Sequence, residues 1–129
     1  ACRAGTAFNR TGTAMVHALS FILSEEWHVP HGAACAFTLE DGVRINREDP
    51  AIAAKLGRIG AGGPDALGDR IIAMKRAMGL PFTFRDIGAE LGGGDIDRLF
   101  AKAFDDPKMK NNAAPVPRDR VFEMLRSKL

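Results

Sequence analysis

The sequence contains no tyrosine, one tryptophan, two cysteines and three histidines in 129 residues. Aromatic side chains make up only 7%, which fits a core filled by Ala, Leu, Ile and Met. No apolar run approaches the ~20 residues needed to span a bilayer. No basic start followed by an apolar middle marks a secretory signal. A membrane partner is therefore not expected. Charge of one sign is also lacking: 18 Lys and Arg face 16 Asp and Glu, for a net +2. The basic residues are scattered among acids, so the stripe that nucleic acid binding requires is absent. Cys2 lies at the extreme end and Cys35 in the apolar run Ala33-Ala34-Cys35-Ala36-Phe37. Two cysteines so placed make no disulfide framework, and a cytoplasmic location is expected. The first residues are Ala1-Cys2-Arg3, without methionine, as expected of a processed chain or a piece of a larger one.

What is present is helical patterning. Hydrophobic residues make up 46%, enough for one compact domain but not for a core plus a full dinucleotide-binding domain. Ala1 to Phe8 reads as the end of a helix. Thr11 to Glu26 carries Met15, Val16, Leu19, Ile22 and Leu23 at helical spacing, with Thr11 or Thr13 as cap. Trp27 to Pro30 breaks that helix, because proline disfavours helix in the residue before it. Pro30 then suits the first turn of a helix from about His31 to Asn46. A short helix is expected over Pro50 to Gly57, then a loop at Ala61-Gly62-Gly63. Pro64 to Met78 reads as an amphipathic helix carrying Leu67, Ile71, Ile72, Met74 and Met78, stopped by Gly79 and Pro81. After Gly92-Gly93-Gly94, Asp95 is expected to cap a helix over Ile96 to Phe104. Asp106 to Pro117 reads as loop. A last helix runs over about Arg118 to Lys128, with Val116 and Val121 as a hydrophobic staple. The expected fold is all-α, a compact domain of roughly six short helices. Gly92-Gly93-Gly94-Asp95 lacks the preceding strand, spacing and lysine of a phosphate loop and reads as a linker.

All three histidines, His17, His28 and His31, fall within fifteen residues. Histidine is the commonest metal-ligating side chain near neutral pH. On one continuous helix, His17 and His31 would stand ~21 Å apart at ~1.5 Å per residue. The break at Trp27 to Pro30 changes that. The helix climbs ~13 Å from His17 to Glu26, and five extended residues can return ~16 Å. His31 can therefore come beside His17, and two imidazoles on facing helix segments are the sort of metal site that helix bundles build. His28 competes for the role, and all three can equally be ordinary solvent-facing side chains. Two ligands do not close a site, so further ligands are required from elsewhere.

These residues carry a family pattern. Ala4-Gly5-Thr6-Ala7-Phe8-Asn9-Arg10-Thr11-Gly12 resembles the AGxAFxxxG stretch of iron-containing (group III) alcohol dehydrogenases. His17-Ala18-Leu19 follows at the family's place. Val29-Pro30-His31-Gly32-Ala33-Ala34-Cys35-Ala36 is similar to its PHGxxxA signature. Asn46 resembles the asparagine that closes the following helix. Asp106-Pro107 with Asn112 resembles a DPxxxxN loop, and the helix after Val116-Pro117 also fits. The resemblance spans nearly the whole chain, with its most specific part over residues 4 to 46.

The resemblance implies the all-α C-terminal domain of the dehydroquinate synthase-like and iron alcohol dehydrogenase fold. Residues 1–129 would be the C-terminal part of the metal-binding helical domain, with the N-terminal dinucleotide-binding domain absent and the fragment inactive alone. It implies Fe(II), or Zn(II), held by an Asp and three His, of which His17 and His31 match two. It implies NAD or NADP in the parent, and hydride transfer between the nicotinamide and a small alcohol or aldehyde substrate. Phe8 matches a position near the nicotinamide pocket, although plain core packing explains an apolar residue there equally well. Many members carry a histidine four residues after the first of these two ligands, also near the nicotinamide. Here that position is Phe21, which makes the pocket more apolar and speaks against a histidine relay there, with His28 as the alternative imidazole. Lys108 occupies a position where small side chains are common. It suits either an anionic substrate or a solvated surface. A homo-oligomer is expected. The rival readings are a non-catalytic helical assembly module and a related maleylacetate reductase or glycerol dehydrogenase-like enzyme.

Overall fold

The computed structural model describes residues 2–59 and 62–129, so Ala1 and the Ala61 part of the expected loop lie outside the described residues. The described residues contain no strand and nine α-helices: α1 (Cys2–Thr11), α2 (Met15–Trp27), α3 (His31–Phe37), α4 (Leu39–Asn46), α5 (Pro50–Ile59), α6 (Pro64–Ala77), α7 (Gly93–Phe100), α8 (Pro107–Lys110) and α9 (Arg118–Arg126). Two 3-10 turns, Arg85–Ile87 and Ala101–Phe104, complete the order. The fold is all-α, as the periodicity predicts. No helix among the described residues is long and apolar enough to cross a membrane.

The centre is α2, which packs against α3, α4, α7 and α8. Its Met15, Leu19, Ile22 and Leu23 are buried at the predicted helical spacing. Around them lies an aromatic cluster. Phe84 is 1% exposed and stands 5.2 Å from Phe37, 5.8 Å from Phe100 and 5.8 Å from Trp27, centroid to centroid. Phe84 comes from the segment after α6, not from a helix. Its N–H donates to the Lys128 carbonyl and ties that segment to the C-terminus. Burial of a phenyl ring at this depth is worth about 3–5 kcal/mol against alanine. Val116 and Val121 both pack into this core at the start of α9, as the staple requires.

Several boundaries differ from the sequence expectation, each for a physical reason. Thr11 ends α1, and α2 starts after Ala14 with no side-chain cap, so neither Thr11 nor Thr13 caps it. The expected helix over His31 to Asn46 breaks at Thr38 (φ −118°) into α3 and α4. The break frees the Phe37 carbonyl to accept from the Lys75 ammonium at 3.4 Å. Lys75 also donates to both carboxylate oxygens of the buried Glu40 at 2.8 Å. Lys128 completes the cluster against Glu40 at 3.2 Å and Asp41 at 2.8 Å. Two cations and two anions thus balance in the interior, which a buried charge requires.

This pairing rotates α6. Gly68, Ile71 and Lys75 face inward, while Met74 and Met78 are 53% and 63% exposed. Asp95 is the third residue of α7, not its cap, and its carboxylate accepts from the Gly92 N–H at 3.0 Å. The expected loop after Asp106 contains α8, which Asp106 caps by accepting from the Lys108 N–H at 2.8 Å.

Candidate metal centre

The chain reverses between α2 and α3 at a corner built from residues 27–30. His28 takes the left-handed conformation (φ 54°), which histidine tolerates better than most non-glycine residues. Its N–H donates to the Ser24 carbonyl at 3.1 Å. The Ser24 hydroxyl donates to the Val29 carbonyl at 2.9 Å. The Pro30 carbonyl then accepts from the Ala34 N–H, which opens α3 at His31. The corner is therefore closed by Ser24 as well as by the proline.

The reversal brings His17 on α2 and His31 on α3 together, with ring centroids 5.4 Å apart and planes tilted by 56°. One turn along α3, the Cys35 Sγ lies 3.6 Å from the His31 Nε2. One donor atom from each of His17, His31 and Cys35 falls within 4.8 Å of the others. His28 is exposed on the corner and is not part of this group. Sequence reasoning did not select Cys35. The signal was available in its spacing, because residues i and i+4 share a helix face.

Phe21 stacks on His31 at 5.7 Å with planes 21° apart. The Lys108 ammonium sits over the Phe21 ring, 4.8 Å from its centroid, and pairs with Asp106 at 3.3 Å. Lys108 therefore lies over Phe21 on the same side of the fold as the histidines, with its side chain partly exposed. Burial lowers the pKa of His17, and the charges of His31 and Lys108 lower it further. The neutral imidazole, with its lone pair free, is favoured at neutral pH. Three nitrogen and sulfur donors in reach of one another, one of them held unprotonated, fit a transition-metal ion. Phe8 lies on α1, 55% exposed, so core packing does not account for it.

His17 also faces a mainly apolar groove of ≈ 430 Å³ between α2, α4 and α5, walled by Val16, Val43, Ile52 and Leu56. Its polar lining comes from Thr11, His17, Asn46, Asn111 and Asn112. Asn111 donates to the Thr11 and Thr13 carbonyls at 2.7 and 3.0 Å and bridges the α1–α2 link to α8. Asn46 and Asn112 meet on the same wall, joining the two asparagines of the separate sequence motifs.

The fold is thus an all-α domain that brings two imidazoles and a thiol together at a helix corner. The whole chain, residues 1–129, matches the model of the Fe-containing alcohol dehydrogenase family, C-terminal, and the chain belongs to that family. It is 26% identical over 129 residues to alcohol dehydrogenase 4 of Saccharomyces cerevisiae, covering 95% of this chain and 33% of that protein. Over 55 residues it is 36% identical to 1-propanol dehydrogenase PduQ of Citrobacter freundii, covering 43% of this chain and 15% of that protein. The solved alcohol dehydrogenase from Oenococcus oeni superposes on 98% of this chain and 35% of its own, with a TM-score of 0.76 at 28% identity. The chain thus spans about a third of the length of the first of these relatives.

Proposed function

We propose that the chain is the metal-binding helical part of an iron-dependent, NAD(P)-linked alcohol dehydrogenase or aldehyde reductase. Such an enzyme interconverts a small alcohol and its aldehyde by hydride transfer with a nicotinamide. The observation that carries this reading is the convergence of the His17 and His31 rings at 5.4 Å, in a chain of this family. The relatives' names, alcohol dehydrogenase and 1-propanol dehydrogenase, support the alcohol branch over maleylacetate reductase or glycerol dehydrogenase chemistry.

His17 and His31 would hold Fe(II), or Zn(II), with further ligands supplied from outside this pair. The ion would supply Lewis-acid polarisation of the alcohol or carbonyl oxygen. The chain's own residues set the rest. Burial keeps His17 unprotonated and ready to ligate. Phe21, stacked on His31, fixes that ring and presents an apolar face where many members carry a histidine. A proton relay through an imidazole at this position is therefore closed to this chain. Phe8 and Phe21 are the candidates for the nicotinamide side. The apolar groove beside His17 suits the alkyl part of a small alcohol. Two free thiols suit a reducing compartment such as the cytoplasm. Exposed Phe8, Ile59 and Met78 supply apolar surface for a homo-oligomer.

Metal analysis of the purified protein and of His17→Ala and His31→Ala tests the reading. Both variants are expected to lose bound iron or zinc. Full metal content in His17→Ala would overturn the assignment.

A further inference from the structure

The PHGxxxA-like segment places a cysteine one helical turn after the histidine. Cys35 is half-buried on α3, and its Sγ faces the histidines. A half-buried cysteine in an alanine-rich helix ordinarily packs as a small apolar side chain. Geometry argues otherwise here. Donor atoms 2.0–2.3 Å from one ion stand about 3.3–3.8 Å apart at tetrahedral angles. The Cys35 Sγ to His31 Nε2 distance is 3.6 Å. The third donor, His17, joins within 4.8 Å and comes from a different helix. The rigid corner at Ser24 and Pro30 holds α2 and α3 in this relation without any ion.

We propose that Cys35 is a third metal-ligating residue of this site, so that α2 and α3 together offer two imidazole nitrogens and one thiolate sulfur. Binding releases the thiol proton to solvent as the sulfur–metal bond forms. A thiolate shifts the site toward borderline-soft divalent ions such as Zn(II) and Co(II), and away from ions that prefer oxygen. The proposal rests on the metal-site reading of His17 and His31.

Titration of the chain with Co(II) under reducing conditions tests it. Visible d–d bands report binding by any ligand set, whereas a near-ultraviolet charge-transfer band reports a sulfur ligand. The expected result is both sets of bands. Cys35→Ser, with unchanged helicity by circular dichroism, abolishes the charge-transfer band and weakens Co(II) binding by about tenfold or more. Cys2→Ser leaves the spectrum unchanged. Visible bands without a charge-transfer band, or a charge-transfer band that survives Cys35→Ser, overturn the role of Cys35 alone. Absence of both sets of bands in the unsubstituted chain overturns the histidine site, and this proposal with it.

Discussion

The Asn112 side-chain amide donates to the Asn46 Oδ1 at 2.9 Å, and the Asn46 amide faces the Asn112 Oδ1 at 3.4 Å, across 66 residues of sequence. Each amide also binds backbone: Asn46 donates to the Gly42 carbonyl and Asn112 to the Ala114 carbonyl, both at 2.8 Å. The pair therefore fastens the end of α4 to the chain after α8, beside His17. Asn112→Ala removes the donor to the buried Ala114 carbonyl and one of the two donors to the Asn46 Oδ1, which keeps the Ala114 N–H at 3.3 Å. The expected loss is about 1–3 kcal/mol, read as a lower urea midpoint with unchanged slope. An unchanged midpoint would show the pair to be ornamental.

Gly42 is the point at which α4 closes on α2. A Cβ there would stand 2.8 Å from the Val16 Cγ2, and Val16 is β-branched and stiff. Alanine in a helix interior gains about 0.5–1 kcal/mol over glycine, whereas overpacking loses about 1–3 kcal/mol. The steric term wins, so Gly42→Ala is expected to lower stability by about 1–2 kcal/mol. Adding Val16→Ala should restore part of that loss, and a double-mutant cycle by chemical denaturation measures the coupling. Additive effects in the cycle would exclude the contact.

The sequence made much of this legible, for identifiable reasons. The α2 core positions follow from spacing alone, and the convergence of His17 with His31 follows from a helix broken at a proline. What spacing could not show was which side of a helix meets a charge elsewhere. Lys75 turns inward because Glu40 and Asp41 wait on α4, 34 and more positions away, and Met74 and Met78 are displaced to the surface. The same long-range pairing ends α3 at Thr38. Phe84 lacked a helical period to betray its burial, because its neighbours form a 3-10 turn. Cys35 was hidden by its alanine neighbours, which made it read as core.

Glu40 gives the protein an acid-sensitive element. Burial alone would raise its carboxyl pKa. The hydrogen bond from Lys75, the Lys128 charge, the backbone and the Lys75 charge outweigh burial, and the net is below the ordinary value. A folded pKa beneath the unfolded one means the stabilisation is complete above the ordinary carboxylate range. It is lost as pH falls through the folded value. Thermal unfolding followed from neutral pH into acid should show this limb, and Glu40→Gln should lack it. At neutral pH the same substitution leaves Lys75 buried beside an uncharged group, a loss of about 3–5 kcal/mol. Identical acid limbs in the two proteins would assign the sensitivity to another carboxyl.

Ser24 links stability to the metal site, because its hydroxyl closes the corner that sets His31 against His17. Ser24→Ala removes the bond to the buried Val29 carbonyl and is expected to lower stability by about 1–2 kcal/mol. The donor atoms remain, so the form of the Co(II) spectrum should stay the same. The corner loosens, so the imidazoles must be ordered at the moment of binding and affinity should fall. His28→Gly acts in the opposite direction on the same corner. It relieves the left-handed strain at φ 54° while keeping both ligands, and is expected to hold or raise stability. Parallel urea and Co(II) titrations of the two variants separate the effects. If Ser24→Ala bound Co(II) as tightly as the unsubstituted chain, preorganisation by the corner would play no part in metal binding.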